Sequence, residues 1–192
     1  VLALLLFSQN GNPARMLSFP FEGGSSINLY TILFILCFGI GYHPAFAIPF
    51  DDRHTFADYE IRFSEPESPL CVNCRPYGLL HGNLYYLGSN IREIPIDEKL
   101  FANDSHCMVN LRSQTIGIYE KGTGRAVVCD IADFPYTLIW SKPGQPKFVC
   151  IEPWHSLPSA ENGSTQWEKK PAAAILAPGE EWSCTLSTEF VR

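Results

Sequence analysis

The chain has 192 residues, 46% hydrophobic and 18% charged, enough for one substantial core and not for two. Its net charge is -6, and no stretch clusters Lys and Arg. That excludes nucleic acid as a partner and gives an anionic membrane surface nothing to hold. Fifteen prolines, fourteen glycines and 13% aromatic residues point to short strands and tight turns, an all-β chain.

Residues 1–30 are the least readable part. VLALLLF has the apolar character of a signal segment but lacks a basic lead, and the region reads as a truncated or misjoined start ahead of a sandwich domain over 31–192. The run INLYTILFILCFGIGY, 27–42, is shorter than a membrane span needs and is broken by Gly39 and Gly41, so it reads as two buried strands. Tyr59, Ile61 and Phe63 alternate with Asp58, Glu60 and Arg62 as in a half-buried strand. The Glu, Pro, Ser and Gly content of 64–78 reads as a loop, and 97–103 as one or two helical turns. From 113 a meander begins: SQTIGIYE and RAVVCDI flank a hairpin loop at Lys121-Gly122-Thr123-Gly124. YTLIWS, FVCIEPW and the alternating segment from Trp182 to Phe190 complete an antiparallel sandwich or barrel.

Seven cysteines is an odd number, and Cys129, Cys150 and Cys184 sit in apolar runs where they act as small hydrophobes. The pattern indicates thiols in a reducing cytoplasm. Cys71 and Cys74 form a lone CxxC, which without a second pair is structural before it is a zinc or redox site.

Two titratable residues share an unusual setting. Glu152 follows the apolar run Phe148 to Ile151 and precedes Pro153, and His43 closes an apolar run just before Pro44. Proline keeps the residue before it extended, so each side chain is held in one direction, as a positioned acid or base must be. Each has a plainer reading, a sheet-edge carboxylate for Glu152 and a hydrogen-bonded core imidazole for His43. Asp104 opens a strand-like run and also suits a turn. Trp154, Tyr136 and Trp140 could each offer a flat apolar platform or fill core.

Five segments, HPAF (43–46), LFANDS (100–105), DFPYTLIWSKPG (133–144), FVCIEPW (148–154) and LAPGEEW (176–182), together resemble the aldose 1-epimerase, or galactose mutarotase-like, family in its bacterial LacX-like branch. The resemblance runs over roughly residues 40–190. It implies an incomplete antiparallel β-sandwich of the galactose mutarotase-like type that takes a small-molecule sugar, an aldohexose, in an open cleft, with no metal or organic cofactor. It also implies roles: Glu152 as general base, His43 as general acid on the opposite side of the sugar, Asp104 and Trp154 as substrate-binding residues. The activity implied is interconversion of α and β anomers. Ahead of His43 the family carries a longer portion, and its sugar-holding arginine and histidine have no counterpart in the forty residues found here, which leaves a non-catalytic sugar-binding relative as the second reading.

Overall fold

The computed structural model describes residues 7–8, 15–21, 24–30, 35–74, 78–144 and 147–192. Most of the signal-like VLALLLF therefore lies outside the described residues. The first strands are β1 (Phe7–Ser8), β2 (Arg15–Phe21), β3 (Gly24–Tyr30), β4 (Leu36–Gly39) and β5 (Ala45–Ala47). They are followed by β6 (Tyr59–Glu67), β7 (Leu70–Val72), β8 (Leu84–Tyr86), β9 (Ile91–Pro95) and β10 (His106–Met108). The meander supplies β11 (Thr115–Glu120), β12 (Ala126–Asp130), β13 (Tyr136–Trp140) and β14 (Phe148–Trp154), and β15 (Ala174–Leu176) and β16 (Glu181–Val191) close the chain. Two short 3-10 turns, Phe56–Asp58 and Trp167–Lys169, are the helical elements among the described residues, and none is long and apolar enough to cross a membrane.

The strands form antiparallel sheets in the orders β5-β14-β13-β10-β7-β8 and β2-β3-β16-β12-β11-β6-β9, with a small third sheet β1-β4-β15. Alternation sets which faces meet. Ile61 and Phe63 of β6 lie opposite Ile118 and Ile116 of β11, and their side chains join Val149 and Ile151 of β14 and Ile139 of β13 in one core. The all-β antiparallel sandwich is therefore the fold, and the hairpin at 121–124 forms as the sequence indicates, with Gly122 and Gly124 both at positive φ.

Three local readings change. The reading of 64–78 as a loop fails over its first part: β6 runs on to Glu67, and β7 spans Leu70–Val72. Composition misleads there because Glu67 is buried, its carboxylate accepting from the Arg112 and Ser113 backbone N–H groups and the Ser113 hydroxyl at 2.6–2.8 Å. Residues 97–103 make consecutive turns and no helix; Asp97 Oδ1 accepts from the N–H groups of Lys99 and Leu100 at 2.9 Å and holds the chain in a turn. Glu152 does not end its strand, because β14 continues through Pro153 to Trp154. Proline is tolerated at this point because Pro153 turns its carbonyl toward the Tyr42 N–H, 3.0 Å away, and not toward β13, so the missing donor breaks no bond of the β13–β14 ladder.

At the far end of the core the inward-facing row of β11 closes on a carboxylate. Glu120, opposite Tyr59, has a fully buried side chain and accepts from Tyr59 Oη, from Thr123 Oγ1 at 2.7 Å and from Arg125. Arg125 also reaches Asp51 at 2.7 Å, and His54 Nδ1 stands 2.7 Å from the other Asp51 oxygen. This network ties the hairpin loop to the 51–54 turn.

Candidate active site

The central strands of the six-stranded sheet, β10, β13 and β14, are buried on both faces, and the second face carries the site. Along β14, Val149 and Ile151 turn to the core, so Cys150, Glu152 and Trp154 turn the other way by the period of two. Leu138 stands opposite Glu152 and Cys107 opposite Leu138, giving a row of buried side chains beneath the site. His43 arrives through a break in the pairing of β14. Tyr42 bonds Pro153 and Ala45 pairs with Cys150, which leaves His43 alongside residue 152. The two X-Pro residues picked out in the sequence thus meet.

His43 Nε2 lies 3.5 Å from Glu152 Oε1, the imidazole about one-third exposed and the carboxylate 4% exposed. They are in contact, and so do not face each other across a sugar-wide gap as the opposite-sides arrangement requires. The Trp140 ring stands edge-on to the imidazole at 6.1 Å. Burial, and then the charge of Asp104, push the Glu152 carboxyl up to about 8. Burial lowers His43 below its ordinary 6.5. Near neutrality the pair therefore carries one proton, held on the carboxyl in the resting site.

Asp104 sits at the end of the 97–103 turns in a left-handed conformation, φ 81°, which aspartate tolerates better than most residues because its side chain bonds locally, here accepting from the Ser105 N–H at 2.8 Å. His43, Asp104, Trp140, Glu152 and Trp154 all line one cavity of about 400 Å³, in the range of small-molecule sites. Tyr136 does not line it. Cys74, read from the sequence as structural, also lines it, as do Ser105 and Lys170, which sequence reading missed. Ser105 lay next to a chosen residue, but Lys170 sits in a polar loop with nothing to distinguish it. In the fold its ammonium stands over the Trp167 ring at 4.5 Å, and burial lowers its pKa.

Trp154 is fixed from behind. Its indole Nε1 donates to the Tyr42 carbonyl at 3.1 Å, and its ring lies so close to Gly41 that an added Cβ would come within 2.4 Å of it. Gly41→Ala should lower stability by about 1–3 kcal/mol and shift the tryptophan fluorescence, both read in one thermal melt; an unchanged melt would show that Trp154 moves freely.

No protein-family model matches the chain. Its architecture is that of solved galactose mutarotase-like proteins. A galactose mutarotase related enzyme from Lactobacillus acidophilus superposes with a TM-score of 0.81 at 20% identity, over 100% of this chain and 68% of that one. A galactose mutarotase-like protein from Lactobacillus casei ATCC 334 gives 0.75 at 21% identity, over 99% and 70%. In sequence, the plasmid and chromosomal LacX proteins of Lactococcus lactis subsp. lactis are each 30% identical over 142 residues, 72% of this chain and 47% of theirs. The chain has the galactose mutarotase-like fold and is a homologue of LacX, spanning about half the length of those curated relatives.

Proposed function

We propose that the chain acts as an aldose 1-epimerase, interconverting the α and β anomers of a free aldohexose by acid-base opening of the ring. The contact between His43 Nε2 and Glu152 Oε1, 3.5 Å apart in the wall of the cavity, is the observation that carries this reading. Opening the hemiacetal removes a proton from the anomeric hydroxyl and delivers one to the ring oxygen. These oxygens share a single carbon, so they lie closer together than the two protein groups do. One pair approaching from one side can serve both, without groups on opposite sides.

In the reading advanced here Glu152 takes the hydroxyl proton, and His43, charged at the moment of transfer, gives one to the ring oxygen. The resting proton first passes from carboxyl to imidazole within the pair. Because the pair begins and ends each half-reaction with one proton, it can run in either direction, as a reversible anomer exchange requires. Each positioned transfer contributes on the order of 10² to 10⁴ in rate. Asp104 accepts hydrogen bonds from sugar hydroxyls, and the indole of Trp154 offers an apolar wall to a sugar face. The chemistry needs neither metal nor organic cofactor, and we place it in the cytoplasm.

Polarimetry tests the proposal. Relaxation of α-glucose or α-galactose rotation should be accelerated by the intact chain, and the absence of any acceleration would overturn the enzymatic reading. Retained sugar binding without turnover would leave a carbohydrate-binding relative, which the direct contact of the pair would then favour.

The pH profile is a sharper check. Activity requires one proton on the pair, so it should fall above about 8, where Glu152 loses its proton, and fall again below 6.5, where His43 gains a second. A rate that climbs steadily past pH 9 would remove Glu152 from the mechanism.

A further inference from the structure

Beneath the acid-base pair lies a third group that the proposed chemistry does not use. Cys150 precedes Glu152 by two residues on β14, so both side chains leave the same face of the strand, and Ala45, two residues after His43, is the Cα partner of Cys150 in β5. One ligand atom from each of His43, Cys150 and Glu152 lies within 4.8 Å of the other two. We propose that these three residues form a site for a thiophilic divalent cation of the zinc class, reached from the cavity and exclusive of catalysis.

The geometry suits such an ion. In a tetrahedral zinc site with ordinary Zn–N, Zn–O and Zn–S lengths, neighbouring ligand atoms stand about 3.3–3.6 Å apart. His43 Nε2 and Glu152 Oε1, at 3.5 Å, already have that separation, and the thiol has at most about 1.2–1.5 Å to close. His43 and Glu152 line the cavity, with His43 the exposed member, while Cys150 is 1% exposed, so an ion would enter past the pair. Thiolate with imidazole selects zinc-like ions over magnesium or calcium. On binding, the Cys150 Sγ–H and Glu152 protons pass to solvent, and an S–metal and an O–metal bond replace them. The ion then occupies the lone pairs that Glu152 and His43 use for proton transfer.

A second group of possible ligands, Asp51, His54 and Glu120, does not compete. There Arg125 and Tyr59 already fill the carboxylate positions, so a cation would have to displace a guanidinium.

The test uses Co²⁺ as a coloured probe on the full chain. One equivalent should bind with a thiolate-to-metal absorption band. Cys150→Ala and Cys150→Ser should both abolish the band while far-UV circular dichroism stays that of the folded chain, and His43→Ala should weaken binding at least about tenfold. His54→Gln should change nothing, and excess Mg²⁺ should not displace the probe. Absence of the band in the intact chain would overturn the proposal, as would its survival in both folded Cys150 variants, which would place the ion on another cysteine. This readout needs no catalytic activity, so it stands or falls apart from the epimerase reading. In a chain that does turn over sugar, one equivalent of Zn²⁺ should suppress the rate, with recovery on chelation.

Discussion

Glu152→Gln should reduce accelerated mutarotation by about 10³-fold or more while making the folded chain more stable at alkaline pH. Both effects come from one fact, a carboxyl that is 4% exposed and has its pKa raised from 4.5 to about 8 by burial and by Asp104. A raised folded pKa means that the native state holds a proton that the unfolded state gives up above 4.5. Stability therefore declines as pH rises from 4.5 and levels off above about 8, where the difference amounts to roughly 5 kcal/mol at most. The amide is isosteric and carries no charge, so the variant escapes this cost. Its melting temperature should exceed that of the parent at pH 8.5 and match it near pH 4. The carboxylate is the base in the proposed reaction, so catalysis should be lost at every pH. Equal melting temperatures at pH 8.5 would mean that water or another cation already compensates Glu152.

The largest loss of stability is expected at the opposite end of the core. Glu120→Gln removes the charge from a fully buried side chain that accepts from Arg125, Tyr59 and Thr123, and it leaves the guanidinium facing a neutral amide. Breaking such a network costs roughly 3 kcal/mol, about 6–12 °C in Tm for a chain of this length. Burial alone would raise the Glu120 pKa, but the hydrogen bonds from Arg125, Tyr59 and Thr123 outweigh it and hold the group at about 2. The sign is opposite to that of Glu152. This contribution is complete above 4.5 and is lost as pH falls toward about 2, so the gap between parent and variant should close over that window. A gap that persists at pH 2 would show that packing, and not charge, holds the turn.

What could be read from the sequence depended on whether the cause was local. The β6 and β11 rows announced themselves because alternation is a property of neighbouring residues, and the hairpin at Lys121-Gly122-Thr123-Gly124 did so because glycine at positive φ is a local need. His43 and Glu152 stood out because each precedes a proline, a constraint written in adjacent positions. How far apart they come to rest was not written there. That distance depends on Gly41 pairing with Trp154 and Ala45 with Cys150, registers set between segments more than a hundred residues apart. The loop assigned to 64–78 failed for the same reason, since the Glu67 carboxylate is satisfied by Arg112 and Ser113, far along the chain. Lys170 could not be found at all, because only the folded loop brings it to the cavity.

The break in pairing beside β14, through which His43 reaches Glu152, also governs when the cavity can exist. Its walls come from the segments near residues 43 and 104 and from the paired strands β13 and β14, and the first two reach the pair only through contacts distant in sequence, so closing them exacts loop entropy before any packing is gained. During synthesis, the imidazole must wait for more than a hundred further residues to leave the ribosome before its partner arrives. Sugar affinity in refolding should therefore emerge late and all at once, together with the completed sandwich.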